Sequence, residues 1–241
     1  MRFARRCVTT VLVVFLGVLP SLAWGAQGQP TTRPAGPALN RFESTIVAYE
    51  KRDREAFPAA GGTLFVGSST FAMWKGLEED FRDLHAINRG FGGSTIPEVL
   101  YYMDRIVLPY KPATIVLFCG TNDIAGGQSP ERVFENFRTF VERVQKALPG
   151  VRVYYVSIHT APVRMKWVKE NAEANRLIRE FAEKTADVQY IDTASVLLDG
   201  EGRPRAEFYL DDRLHLNRRG QELWIPVLRK ALVAKSEERG K

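Results

Sequence analysis

Short apolar runs alternate with amphipathic stretches along most of this chain. That alternation predicts an α/β fold, with a parallel sheet covered by helices on both faces. Two observations carry the reading. The candidate strands, such as Ile115-Val116-Leu117-Phe118, are continuous apolar runs, as expected of strands buried on both sides. The composition is that of an ordinary globular protein, with 241 residues, 45% hydrophobic and 26% charged, enough for one domain with a sizeable core. No internal repeat is visible.

The first residues stand apart from that pattern. Arg2, Arg5 and Arg6 form a basic start, Cys7 to Leu22 is mostly apolar but shorter than the roughly 20 residues of a membrane span, and Ala23-Trp24-Gly25 places small residues where a signal peptidase reads. Residues 1–25 are therefore expected to be a secretory signal, which predicts a periplasmic or secreted protein with no stable membrane span after cleavage. Residues 26–40, rich in Gly, Pro, Thr and Gln, read as a flexible linker, and 41–241 as the folded domain. Loss of three leader arginines lowers the formal net charge of +6 by three. The remaining charge is too mild, and too free of basic stripes with interleaved aromatics, to argue for nucleic acid. Cys7 leaves with the signal, so Cys119 stands alone in an apolar run and reads as core packing, with no disulfide available.

The domain begins with a helix carrying Phe42, Ile46 and Tyr49 at helical spacing and ending near Pro58 and Gly61-Gly62. Five strands follow, at Thr63–Gly67, Ala86–Arg89, Thr114–Cys119, Val151–Ile158 and Val188–Asp192. A helix over Pro130–Leu148 has Ser129 to cap it, Pro130 in its first turn, and an apolar stripe of Val133, Phe137, Phe140, Val141, Val144 and Leu148. A second spans Trp167–Glu183, and Leu223, Trp224, Val227, Leu228, Ala231 and Leu232 mark the last.

Open parallel sheets bind ligands beyond the carboxyl ends of their strands. The chemically distinctive residues fall there: Ser69 after the first strand, Gly90 to Ser94 after the second, Gly120-Thr121-Asn122-Asp123 after the third, His159 after the fourth, and Asp212 with His215 after the fifth. A serine hydroxyl needs an imidazole to take its proton and a carboxylate to orient that imidazole. Ser69 supplies the first, His215 the second and Asp212 the third; Asp211 is a rival for the carboxylate, and the three-residue spacing favours Asp212. The N–H groups of Ser69 and Gly93 and the side-chain amide of Asn122 are candidate donors to an oxyanion. Asp123 reads as a neighbouring solvated charge. His159 reads as a pocket-rim residue, and with Arg164 and Trp167 is a candidate for contact with substrate. Three histidines, none in a ligand-spaced pair, argue against a catalytic zinc.

Together these blocks resemble the SGNH (GDSL-type) hydrolases over nearly all of the domain. Gly67-Ser68-Ser69-Thr70, Asn88-Arg89-Gly90-Phe91-Gly92-Gly93, Gly120-Thr121-Asn122-Asp123 and Asp212-Arg213-Leu214-His215 match four family blocks in order. Ser68 departs from the Asp that many members carry before the nucleophile. The resemblance implies a three-layer flavodoxin-like fold, a five-stranded parallel sheet flanked by helices, and ester hydrolysis without metal or other cofactor. It assigns Ser69, Asp212 and His215 to the triad and Gly93 and Asn122 to the oxyanion hole. With the export signal it points to a carbohydrate or other small acyl ester as substrate. A lysophospholipase, thioesterase or acyltransferase would use the same parts. A phosphate, flavin or carbohydrate-binding protein could share the fold, but that reading leaves Asp212 and His215 unexplained.

Overall fold

A computed structural model describes residues 39–234. The expected signal over 1–25 lies outside the described residues, as does all but the end of the 26–40 linker. Five strands, β1 (Thr63–Gly67), β2 (Ala86–Gly90), β3 (Thr114–Phe118), β4 (Arg152–Val156) and β5 (Val188–Ile191), form one sheet in the order β2-β1-β3-β4-β5. Every pairing is parallel, with Gly67 beside Gly90 and Phe118 at the carboxyl edge. This is the flavodoxin-like order, and its reversal beside β1 opens a crevice at that edge. The helices are α1 (Glu43–Glu55), α2 (Ser69–Ala72), α3 (Leu77–Asp80), α4 (Ile96–Ile106), α5 (Thr121–Ala125), α6 (Pro130–Ala147), α7 (Val168–Lys184) and α8 (Arg218–Ala234).

Side chains alternate between the two faces of each central strand, and both faces are apolar because both are covered. Leu64 and Val66, Ile115 and Leu117, and Val153 and Tyr155 pack with residues of α1, α4, α6 and α7. Phe65, Val116, Phe118, Tyr154 and Val156 pack on the other face with Phe71 of α2, Leu77 of α3, and Trp224, Leu228 and Leu232 of α8. Cys119 is fully buried in the first of these layers.

No helix expected from the sequence covers α4. Ile96, Val99, Met103 and Ile106 form its buried stripe, and Thr95 and Glu98 close a capping box at its start. Among the described residues, no helix is long and apolar enough to cross a membrane.

Candidate active site

The carboxyl edge of the sheet is shaped by tight turns. At the end of β1, Gly67 adopts φ +132°, and a Cβ there would stand 2.0 Å from the Phe118 carbonyl oxygen. Only glycine fits, and the chain turns at once so that Ser69 opens α2 at the sheet edge. The Ser68 N–H donates to that same Phe118 carbonyl at 2.9 Å. Asn88 of β2 ties the next loop to this turn. Its Nδ2 donates to Phe71 O at 2.8 Å and its Oδ1 accepts from Gly90 N at 2.9 Å, while Phe91 N donates to Gly67 O at 2.8 Å. The loop then carries Gly93, at φ +80°, beside Ser69.

One pocket of about 360 Å³ gathers the candidate residues: Ser69, Gly93, Asn122, His159, Arg164 and His215 all line it. Met73, Ala161 and Leu214 give it apolar walls. Asp212 stands behind His215, with Oδ2 2.6 Å from the imidazole Nδ1. Its other oxygen accepts from the backbone N–H of Leu214 at 2.9 Å and of His215 at 3.0 Å. Burial pushes the Asp212 carboxyl up, but the His215 ring and these backbone donors outweigh it and hold the pKa at about 2. The carboxylate is therefore ionised, and it holds the proton of His215 on Nδ1, leaving Nε2 as the basic nitrogen. Asp211, the rival carboxylate, is not the partner in this pair.

Asn122, in the first turn of α5, donates from Nδ2 to Ser94 O at 3.0 Å, and its Oδ1 accepts from Arg164 Nη2 at 2.9 Å. One Nδ2 hydrogen remains for the pocket. His159 is more enclosed than a rim position. It is 5% exposed, stacks on Phe118 at 5.4 Å between ring centroids, and has no partner for Nδ1 among the described residues. Burial, reinforced by the charges of Arg164 and His215, lowers its pKa to about 3, so the pocket wall carries a neutral imidazole. Trp167 does not line the pocket. It sits at the end of the 3-10 turn Pro162–Trp167, packed against the α7 side of the core and beneath the Lys166 ammonium at 4.0 Å.

Asp123 corrects an expectation. It is fully buried rather than solvated, and both its oxygens accept from Ile96 N, at 3.0 and 3.3 Å. It thus tethers the start of α4 to the Asn122 turn, and burial raises its pKa to about 7. Two further residues shape the site: Arg41, which no sequence motif marks, and Ser94, at the end of the Gly90 to Ser94 loop. Arg41 donates to Gly93 O at 2.9 Å and pairs with the buried Glu98; Ser94 O receives Asn122. Backbone acceptors leave no side-chain pattern in a sequence. Among the described residues, no group of three His, Cys, Asp or Glu side chains is placed to hold a metal ion.

The profile of the GDSL-like Lipase/Acylhydrolase family matches residues 59–223, a span that contains every element of this pocket, and the chain belongs to that family. It is similar to platelet-activating factor acetylhydrolase IB subunit alpha2 of Homo sapiens, at 30% identity over 148 residues, which is 58% of this chain and 62% of the relative. The alpha1 subunit of Rattus norvegicus is 28% identical over 176 residues, 69% of this chain and 71% of the relative. The chain thus spans 62% of the length of the alpha2 relatives. Among solved structures, a GDSL-like lipase from Bacteroides thetaiotaomicron superposes with a TM-score of 0.66 at 20% identity, covering 78% of this chain and 97% of that one. A catalytic mutant of an acetylxylan esterase from Geobacillus stearothermophilus superposes at 0.57 with 12% identity, covering 71% and 94%. These likenesses show the shared fold.

Proposed function

We propose that this protein is a serine carboxylester hydrolase that works through an acyl-enzyme. The observation that carries the reading is the Asp212–His215 pair at 2.6 Å, whose imidazole lines the same pocket as Ser69, Gly93 and Asn122. Ser69 Oγ attacks the ester carbonyl while His215 Nε2 takes its proton. Asp212 stabilises the imidazolium that forms. The backbone N–H groups of Ser69 and Gly93 and the remaining Nδ2 hydrogen of Asn122 receive the oxyanion. His215 then protonates the leaving alcohol, and water repeats the sequence on the acyl-enzyme.

We assign a small acyl group, acetyl first, on a carbohydrate or other small alcohol. The acetyl is supported by the names of the acetylhydrolase relatives and by the modest pocket with its Met73 and Leu214 walls. Export to the periplasm or outside the cell, by cleavage of residues 1–25, belongs to the same proposal, and N-terminal sequencing of protein recovered from cell fractions tests it.

The experiment on the chemistry is hydrolysis of p-nitrophenyl acetate, butyrate and decanoate by the purified protein beside Ser69→Ala. The expected result is turnover of acetate above decanoate, lost in the variant. A folded wild type that turns over none of them overturns the reading.

A further inference from the structure

The Arg164 guanidinium makes three hydrogen bonds, all to the turn that carries Asn122. Its Nη1 donates to Thr121 O at 2.9 Å and to Thr121 Oγ1 at 3.0 Å, and its Nη2 donates to Asn122 Oδ1 at 2.9 Å. The guanidinium comes from the 3-10 turn after β4 and reaches the turn after β3. It is half-buried beside the pocket and has no carboxylate partner among the described residues.

The consequence for Asn122 follows from donor and acceptor counts. The oxygen and nitrogen of an amide are nearly the same size, so an unanchored Asn can present either to a ligand. Here Oδ1 faces a guanidinium, which has donors only, and Nδ2 faces the Ser94 carbonyl, which only accepts. Rotation of the amide by half a turn would set N–H against N–H on one side and oxygen against oxygen on the other. Both contacts enforce the orientation that offers an N–H to the pocket. A cation bonded to Oδ1 also polarises the amide and strengthens its N–H as a donor. Its positive charge acts most on the state in which negative charge has developed.

We propose that Arg164 is a positioning residue of the oxyanion hole, locking the Asn122 amide in its donating orientation and placing an uncompensated positive charge behind it. The proposal rests on the esterase reading above.

The test compares wild type, Arg164→Met, Arg164→Lys, Asn122→Ala and the Asn122→Ala/Arg164→Met double variant. Substrates are the neutral p-nitrophenyl acetate and the anionic mono-p-nitrophenyl succinate. Arg164→Met is expected to lower kcat about 10²-fold on both esters, the size of losing one oxyanion donor, with KM within roughly twofold. Arg164→Lys is expected to recover part of that loss, and the double variant to be no slower than Asn122→Ala. Losses that multiply in the double variant overturn the proposal. A KM increase confined to the succinate ester overturns it too, and makes Arg164 a substrate anchor.

A measurement without turnover keeps the two readings separate. In ¹⁵N-edited spectra of the free protein, the two Asn122 Nδ2 hydrogens, assigned by their loss in Asn122→Ala, are expected to be well separated in wild type and to draw together in Arg164→Met. Unchanged resonances overturn the lock whatever the enzyme does. Wild-type turnover insensitive to Ser69→Ala sinks the esterase reading instead, and the spectra then decide the lock alone.

Discussion

Arg41, in the turn before α1, donates from Nη2 to the carbonyl oxygen of Gly93 at 2.9 Å. The same side chain meets Glu98, whose carboxylate is fully buried and also receives the N–H and Oγ1 of Thr95. Phe42 packs edge-on against Phe91 at 5.0 Å, so two consecutive residues clasp the Gly93 loop from outside. Arg41→Ala is expected to lower stability by about 1–2 kcal/mol, because Glu98 loses its charged partner. The freed loop should also lower kcat, by roughly tenfold. Denaturant unfolding and steady-state kinetics check the two parts; unchanged kcat would separate the clasp from the site.

The two neighbouring carboxylates after β5 should behave differently. Asp212→Asn removes the acceptor that fixes the His215 tautomer, and is expected to cost about 10³–10⁴-fold in kcat, as in other triads. Asp211→Asn is expected to retain wild-type turnover. Equal losses would mean that the exposed turn, rather than the 2.6 Å contact, matters.

Stability should depend on pH through Asp123. Its folded pKa is raised to about 7, so the folded protein holds a proton that the unfolded chain, near its ordinary value of about 4, releases first. This contribution is full below pH ~4 and is lost as pH rises to about 7. Asp123→Asn keeps an acceptor for Ile96 N and should flatten that fall, gaining stability relative to wild type above pH 7. His159, lowered to about 3, acts in the opposite sense: its neutral burial gains as pH rises from about 3 towards its ordinary value. The curves of Asp123→Asn and His159→Phe should therefore depart from wild type in opposite directions, read by thermal unfolding at fixed ionic strength.

Two glycines separate folding from chemistry. A Cβ at Gly67 would overlap the Phe118 carbonyl, so Gly67→Ala is expected not to fold. At Gly93 nothing lies within 4 Å of a Cβ, and the penalty is the φ of +80° alone. Gly93→Ala should fold with about 1–2 kcal/mol lost and turn over roughly tenfold more slowly as its N–H rotates. Circular dichroism and kcat/KM on the same preparations distinguish them.

The strands were legible because burial on both faces makes each one a short apolar run, and the turns were legible because glycines such as Gly67 have steric reasons to be there. α4 was legible in principle. Thr95 and Glu98 at capping-box spacing before Val99, Met103 and Ile106 are its signal, masked by the glycine-rich Gly90 to Ser94 loop directly before it. Asp123 misled because residue type speaks for solvent, whereas its partner, Ile96 N, lies 27 residues away and appears only on folding. Arg164 could be named as a pocket candidate from its position after β4. Its bond to Asn122, 42 residues distant, depends on how two loops meet at the sheet edge, and neither loop encodes that alone.

The turn at Asp212-Arg213-Leu214-His215 closes on itself: Leu210 N donates to His215 O, Arg213 N donates to Leu210 O, and Asp212 Oδ1 accepts from the N–H groups of Leu214 and His215. The Asp212 carboxylate and the His215 imidazole are therefore carried together on one hydrogen-bonded cassette. A shift of this segment against the sheet changes the distance from the cassette to Ser69 and nothing within the cassette. The proposed triad thus has one adjustable joint instead of two, and slow substrates of a loosened variant should suffer in the attack step while the imidazole keeps its tautomer.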